Sequence, residues 1–175
     1  ANKIIFVQRE PKLIDNRVIA HSKAKILWED QHCGITWWLN KTYDELKAMT
    51  PSNRKEISCI VSSKHPHRNK FISRLCENND SGLDLFGRGH NKQLLGDCYK
   101  GPINSSGNCK LDGLLPYKST IVLENSQQKN YWTEKLADAY LSWCLPLYYG
   151  APNIDALGAG DVALGSSFFS PTFAP

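Results

Sequence analysis

The chain has 175 residues, 41% hydrophobic and 22% charged, a balance that excludes a disordered polymer and allows one domain with a real core, or one domain and part of another. Its 21 Lys and Arg against 17 Asp and Glu leave a net charge of +4 with no block of five or six like charges, which suits a small anionic ligand and is too weak and scattered for nucleic acid. No segment reads as a signal peptide or nears the ~20 apolar residues of a membrane span, so a soluble chain without a transmembrane segment is expected, cytoplasmic or peripheral on a membrane.

The opening KIIFVQ has the apolar run of a buried strand, and KILW and GITWWL are two further strand candidates. Thr42-Tyr43-Asp44-Glu45 is a capping-box pattern ahead of LKAM, so a short helix should start near Thr42 and end at Thr50-Pro51. The polar, turn-forming PSNRKE that follows marks a boundary, dividing residues 1–50 from a second unit over 51–155.

In that second unit strands, loops and helices alternate. EISCIVS (56–62) predicts a strand, SKHPH a loop, and RNKFISRLC a helix with Phe71, Ile72 and Leu75 at helical spacing. GLDLFG (82–87) predicts a second strand, closed by Gly87-Arg88-Gly89. The Gly-, Asn- and Asp-rich stretch 88–113 reads as a loop with a short helix around Lys92–Leu95. STIVLE (119–124) predicts a third strand and residues 133–144 a helix with Leu136, Tyr140 and Trp143 on one face. LPLYYG (145–150) predicts a fourth strand, its entry fixed by Pro146. This alternation predicts an α/β fold, a Rossmann-like parallel sheet with flanking helices and right-handed crossovers. Ligands of such sheets bind beyond the carboxyl ends of the strands, where SKHPHR, GRGHN and ENSQQKNYW gather Arg, Lys, His and Asn. Residues 156–175, rich in Gly, Ala and Ser, form a tail without periodicity.

The six cysteines contain no Cys-x-x-Cys pair, and several lie in apolar runs, so reduced thiols are expected rather than disulfides or zinc. His65 and His67 invite a metal reading, but Pro66 separates them and no carboxylate is placed with them. Gly87-Arg88-Gly89 lacks the third glycine of a dinucleotide fingerprint; its glycines would let backbone approach a ligand closely.

Thr133 is a good N-cap, which places Glu134 and Lys135 in the first helical turn. Glu there favours the helix dipole and is explained by capping alone. Lys is locally unfavourable unless an anion joins it; an ammonium beside unpaired helix N–H groups is a site of the kind phosphates occupy. Arg68, at the start of the first crossover helix, offers a planar fork suited to phosphate, or is simply an exposed loop residue. Glu10, after the IIFVQ strand and before Pro11, is either a solvated turn residue or a general base.

With these residues in view, YKSTIVLENS…YWTEKLADAYLSWCLPLYYGAPN resembles the α-1,3/4-fucosyltransferase family, glycosyltransferase family ten, which reads YKF-x-L-x-FENS…DY-x-TEK and then A-x6-P-V-x-x-G. IVSSKHPHR and LDLFGRG fit its upstream segments. The resemblance covers residues 53–155, and ENSQ with Y-x-TEK is most similar to bacterial members. It implies the donor half of a two-Rossmann-domain (GT-B) enzyme that transfers fucose from GDP-fucose, with inversion, to a glycan acceptor, in surface glycan synthesis such as lipopolysaccharide or in protein glycosylation. It implies no cofactor and no metal, with the nucleotide-sugar as donor substrate. By the same resemblance Arg68 and Lys135 would neutralise the diphosphate and Glu134 would hold sugar or ribose hydroxyls. Asn125 and Tyr131 would line the pocket. Glu10, in Arg9-Glu10-Pro11, would be the catalytic base. Most of the family's first domain would precede Ala1, residues 1–50 being its remnant.

Overall fold

The computed structural model describes residues 5–8 and 25–28 as backbone strands and residues 39–77, 82–103 and 110–154 with their side chains. Strands β1 (Ile5–Gln8) and β2 (Lys25–Trp28) pair in parallel, Ile5 opposite Lys25. The helix expected near Thr42 is α1, Tyr43–Ala48, and its capping box is complete: the Thr42 hydroxyl accepts from the Glu45 amide while the Glu45 carboxylate accepts from the Thr42 amide at 2.7 Å. The GITWWL strand candidate, apart from Leu39, lies outside the described residues, as does the tail 156–175.

From residue 55 onward the expected alternation appears as β3 (Lys55–Ile60), α2 (Pro66–Glu77), β4 (Leu83–Phe86), α3 (Lys92–Leu95), β5 (Tyr99–Gly101), β6 (Tyr117–Leu123), α4 (Glu134–Leu141) and β7 (Leu145–Tyr149). Among the described residues these strands form one five-stranded sheet in the order β5-β4-β3-β6-β7, every pair parallel. β5 has no counterpart among the strands read from the sequence; it is three residues long with an exposed Lys100 at its centre. Pro146 sits on β7, an edge strand, where a missing ladder N–H is tolerated.

Strand side chains alternate between two packed faces, as strands covered on both sides must. Cys59, Leu83, Leu85, Ile121 and Leu123 meet Ile72 and Cys76 of α2 on one face. On the other, Val122 and Tyr148 pack against Leu136 and Ala139 of α4. A second cluster joins Leu39 and Leu46 to Leu111, Leu114, Tyr117 and Cys144. Each of these buried aliphatic side chains contributes about 1.5–3 kcal/mol. The core thus crosses the boundary expected after residue 50: α1 packs on the sheet unit, and Trp143 donates its indole N–H to the Leu46 carbonyl at 2.8 Å. Trp143 falls just past the end of α4 at φ +58° and is exposed, so of the three residues expected on one helix face only Leu136 and Tyr140 lie within α4.

One cysteine expectation is overturned. Cys76, in the last turn of α2, and Cys98, just before β5, form a disulfide with Cα atoms 5.6 Å apart. The two lie 22 residues apart in sequence and meet only because parallel β3, β4 and β5 carry their flanking segments to the same side. Cys59 and Cys144 are free and buried, and burial pushes both thiols up to about 12.

Candidate functional site

The strand order identifies where a ligand would sit. From β3 the chain runs outward through β4 and β5, then returns to the other side of β3 as β6 and continues to β7. The reversal falls between β3 and β6, and in open α/β sheets the crevice at such a switch point, beyond the carboxyl ends, is the binding position. α2 follows β3 and covers one face; α4 follows β6 and covers the other. Both begin at this edge, so Arg68 and Lys135 rise on either side of the crevice and lean toward the same residue, Glu124.

Glu124 directly follows β6 and is 2% exposed. Its carboxylate accepts from the Thr133 amide at 2.8 Å, from the Thr133 hydroxyl at 2.8 and 3.0 Å, and from the Lys135 ammonium at 3.3 Å. Its own amide donates to the Tyr149 carbonyl at 2.9 Å. The Lys135 ammonium also donates to the Thr133 hydroxyl at 2.9 Å and lies 3.7 Å from Glu134. An ammonium has three donors, so the third N–H of Lys135 is left without a hydrogen-bond partner among the described residues.

Arg68 is 5% exposed rather than a solvated loop residue. It donates to the Leu123 carbonyl at 3.4 Å, and its Nε has no partner among the described residues. Burial lowers the guanidinium's affinity for its proton, and Cys59, Glu124 and Tyr131 beside it work in the opposite direction. Two cations with unspent donors around one buried carboxylate are the main feature of this edge.

The remaining expected residues are placed as follows. Tyr131 is buried, lies within electrostatic reach of Arg68, and accepts at its carbonyl from the Tyr148 hydroxyl at 3.5 Å. Asn125, half-buried, directly follows Glu124. Glu134 opens α4; burial would raise its carboxyl, but Lys135 and Lys110 outweigh that and hold it below the usual carboxylate range. Glu10 lies outside the described residues, so the structure brings together Arg68, Asn125, Tyr131, Glu134 and Lys135 and leaves the expected base unplaced.

The loop between β6 and α4 is held locally. Asn130, in the left-handed region at φ +63°, donates its amide to the Asn153 side chain at 2.8 Å, and Asn153 donates back to the Asn130 side chain at 2.7 Å. The opening of α4 follows the capping logic of the sequence, with Thr133 at the N-cap and its hydroxyl accepting from the Lys135 amide. Lys110 reaches the same helix and pairs with Asp138 at 2.6 Å, while burial keeps the Asp138 carboxyl raised against that pairing.

Two sequence features resolve differently. Gly87, at φ +139°, makes its close backbone approach to the chain itself: a Cβ there would stand 1.8 Å from the Val61 carbonyl oxygen. His65 and His67 pack edge to face at 6.0 Å, and no group of three His, Cys, Asp or Glu converges among the described residues. No helix there is long and apolar enough to cross a membrane. Sequence reasoning passed over Glu124, quoted only as part of a motif; its signal is a carboxylate closing the apolar run Ile121-Val122-Leu123, nine residues before the N-cap it serves.

A doubly covered parallel sheet with cations gathered at its switch point defines a Rossmann-like α/β domain. The profile described as "Glycosyltransferase family 10 (fucosyltransferase) C-term" matches residues 50–168, and the chain belongs to that family. It is 31% identical over 144 residues to Alpha-(1,3)-fucosyltransferase FucT of Helicobacter pylori, matching 82% of this chain and 26% of that protein. The chain thus spans about a quarter of the curated relative's length. Among solved structures it is similar to "Crystal Structure of alpha1,3-Fucosyltransferase with GDP" at 26% identity, TM-score 0.47, covering 82% of this chain and 37% of that one. For "Crystal Structure of alpha1,3-Fucosyltransferase with GDP-fucose" the identity is 22% and the TM-score 0.44, with 82% and 37% covered.

Proposed function

We propose that residues 51–155 are the donor-binding half of a GT-B fucosyltransferase that takes GDP-fucose and transfers fucose, with inversion, to a hydroxyl of a glycan acceptor. The observation that carries this reading is the convergence of Arg68 and Lys135, each with unspent N–H donors, at the start of a helix whose amide N–H groups face the same edge. A diphosphate gains from all three: an ammonium, a guanidinium and a helix amino terminus. Transfer makes the departing diphosphate more negative, and cations fixed in place stabilise that charge without having to reorganise.

In this reading Lys135 meets the diphosphate directly, while Arg68, buried beneath, acts through a medium that screens its charge poorly. Glu134, held ionised by its lysines, accepts from sugar or ribose hydroxyls. Asn125 and Tyr131 line the pocket, and Tyr131 stands by Arg68. Glu10 is the base that takes the acceptor hydroxyl's proton on the face opposite the departing nucleotide. Residues up to 50 include the end of an acceptor-side unit, with Leu39 and α1 at the junction. The acceptor is a surface glycan, such as lipopolysaccharide, or a glycan on protein. A cytoplasmic location would expose the Cys76–Cys98 bond to a thiol-reducing environment, so the redox state of that pair in cells reports the compartment.

A second reading is nucleotide-sugar binding without transfer. Incubation with GDP-[14C]fucose and a panel of glycan acceptors separates the two. Labelled glycan that disappears in Glu10→Gln supports transfer; donor binding with no labelled product supports the second reading. Binding of neither GDP-fucose nor any other nucleotide-sugar would defeat both.

A further inference from the structure

Resting on the donor-binding reading, we propose that Glu124 is the positioning residue of the diphosphate site: its buried carboxylate holds the Lys135 ammonium and the first turn of α4 in the geometry a diphosphate needs. Removing a carboxylate from water is costly, and such a group persists where donors and cations compensate it. Glu124 is compensated from the two helices that pack on it: Thr133 and Lys135 reach it from the start of α4, and Arg68 faces it from α2. On the β7 side it is enclosed by Tyr148, within electrostatic reach, and by Gly150 just past the strand, where a Cβ would stand 2.6 Å from the Glu124 Cγ.

The arrangement is directional. The Thr133 hydroxyl is shared between the Glu124 carboxylate at 2.8 Å and the Lys135 ammonium at 2.9 Å, so carboxylate, hydroxyl and ammonium fix one another. Lysine is among the side chains richest in rotamer entropy, and anchoring it before the ligand arrives removes that cost from binding. Two of its N–H groups are spent on Thr133 and Glu124, and the third, with the Glu134 carboxylate 3.7 Å from the ammonium and no hydrogen bond among the described residues, is left to meet an incoming oxygen. The side chains of Lys135 and Glu124 are 20% and 0% exposed, so of the two only the lysine reaches solvent and a ligand meets its side chain first.

The test is a double-mutant cycle read by calorimetric titration of GDP into the full chain, using Glu124→Gln, Lys135→Ala and the pair. The carboxamide keeps shape and burial but has one acceptor oxygen and no charge, so Glu124→Gln alone should weaken GDP binding about tenfold. In the Lys135→Ala background the same substitution should change affinity less than twofold, because its effect passes through Lys135. Thermal unfolding of each variant records any general loss of structure, which would lower affinity equally in both backgrounds. Glu124→Asp, which keeps the charge at shorter reach, should recover part of the affinity. GDP binding that is unchanged or tighter in Glu124→Gln, or a loss of the same size in both backgrounds, overturns the proposal. If the unmodified chain does not bind GDP, the donor-binding reading itself has failed.

Discussion

Thr133→Ala tests how firmly the rim is built. The substitution removes a hydroxyl with three roles: capping α4, donating to the Glu124 carboxylate at 2.8 Å, and accepting from the Lys135 ammonium at 2.9 Å. Loss of an N-cap costs about 1 kcal/mol. A hydrogen bond to a charged group is worth about 1.5–3 kcal/mol, and Glu124, being buried, has little access to water as a replacement donor. Together these give a loss of about 3 kcal/mol. With a urea slope of about 1–3 kcal/mol per molar, the unfolding midpoint should fall by about 1–3 M. Thr133→Ser, which keeps the hydroxyl, should stay within about 1 kcal/mol of the parent. The assay is urea unfolding followed by tryptophan fluorescence. A loss of about 1 kcal/mol or less in Thr133→Ala would mean that ordinary capping is all the hydroxyl does, and the three-way arrangement would be refuted.

Two further outcomes follow from the structure. Closing a loop across 22 residues, the Cys76–Cys98 bond should contribute about 3 kcal/mol, measured as the loss in unfolding free energy of the Cys76→Ser, Cys98→Ser variant. Asp84 should impose an acid limit on stability. Burial raises its carboxyl, but Lys55 at 2.8 Å, Tyr117 at 2.7 Å and Lys100 at 3.2 Å outweigh that and hold it below its ordinary value. An acid depressed in the folded state stabilises fully above its unfolded value, near pH ~4, and loses that contribution as pH falls through the folded value. Asp84→Asn should therefore cost about 2 kcal/mol at neutral pH and flatten the decline of the urea midpoint below pH ~4.

Much of the architecture was legible from local chemistry. The capping box at Thr42, the N-cap at Thr133, the apolar strand runs and the loop–helix alternation are short-range signals, and Thr42, α2, β6 and Thr133 stand where these signals put them. What escaped depended on residues far apart in the chain. Cys76 and Cys98 meet across two strand positions, and no Cys-x-x-Cys spacing marks them as partners in the sequence. β5 is too short, and its Lys100 too polar, to leave a strand pattern. Leu39 and Leu46 join a core built from residues 111–144, which no periodicity announces. At the site, Arg68 and Lys135 were legible as residue types suited to an anion. The carboxylate between them was not, because a Glu closing a strand looks like a surface residue until Thr133 and Gly150 enclose it.

The central claim is that Arg68 and Lys135 form a diphosphate site at the switch point of the sheet. Its most direct test is calorimetric titration of the chain with GDP, repeated with Lys135→Ala and Arg68→Ala. Losing the direct charge-assisted contact of Lys135, worth about 1.5–3 kcal/mol, should weaken binding by about 10- to 100-fold, and losing the buried charge of Arg68 should weaken it by a smaller factor, with guanosine bound no differently by the three proteins. GDP affinity unchanged by both substitutions would contradict the claim.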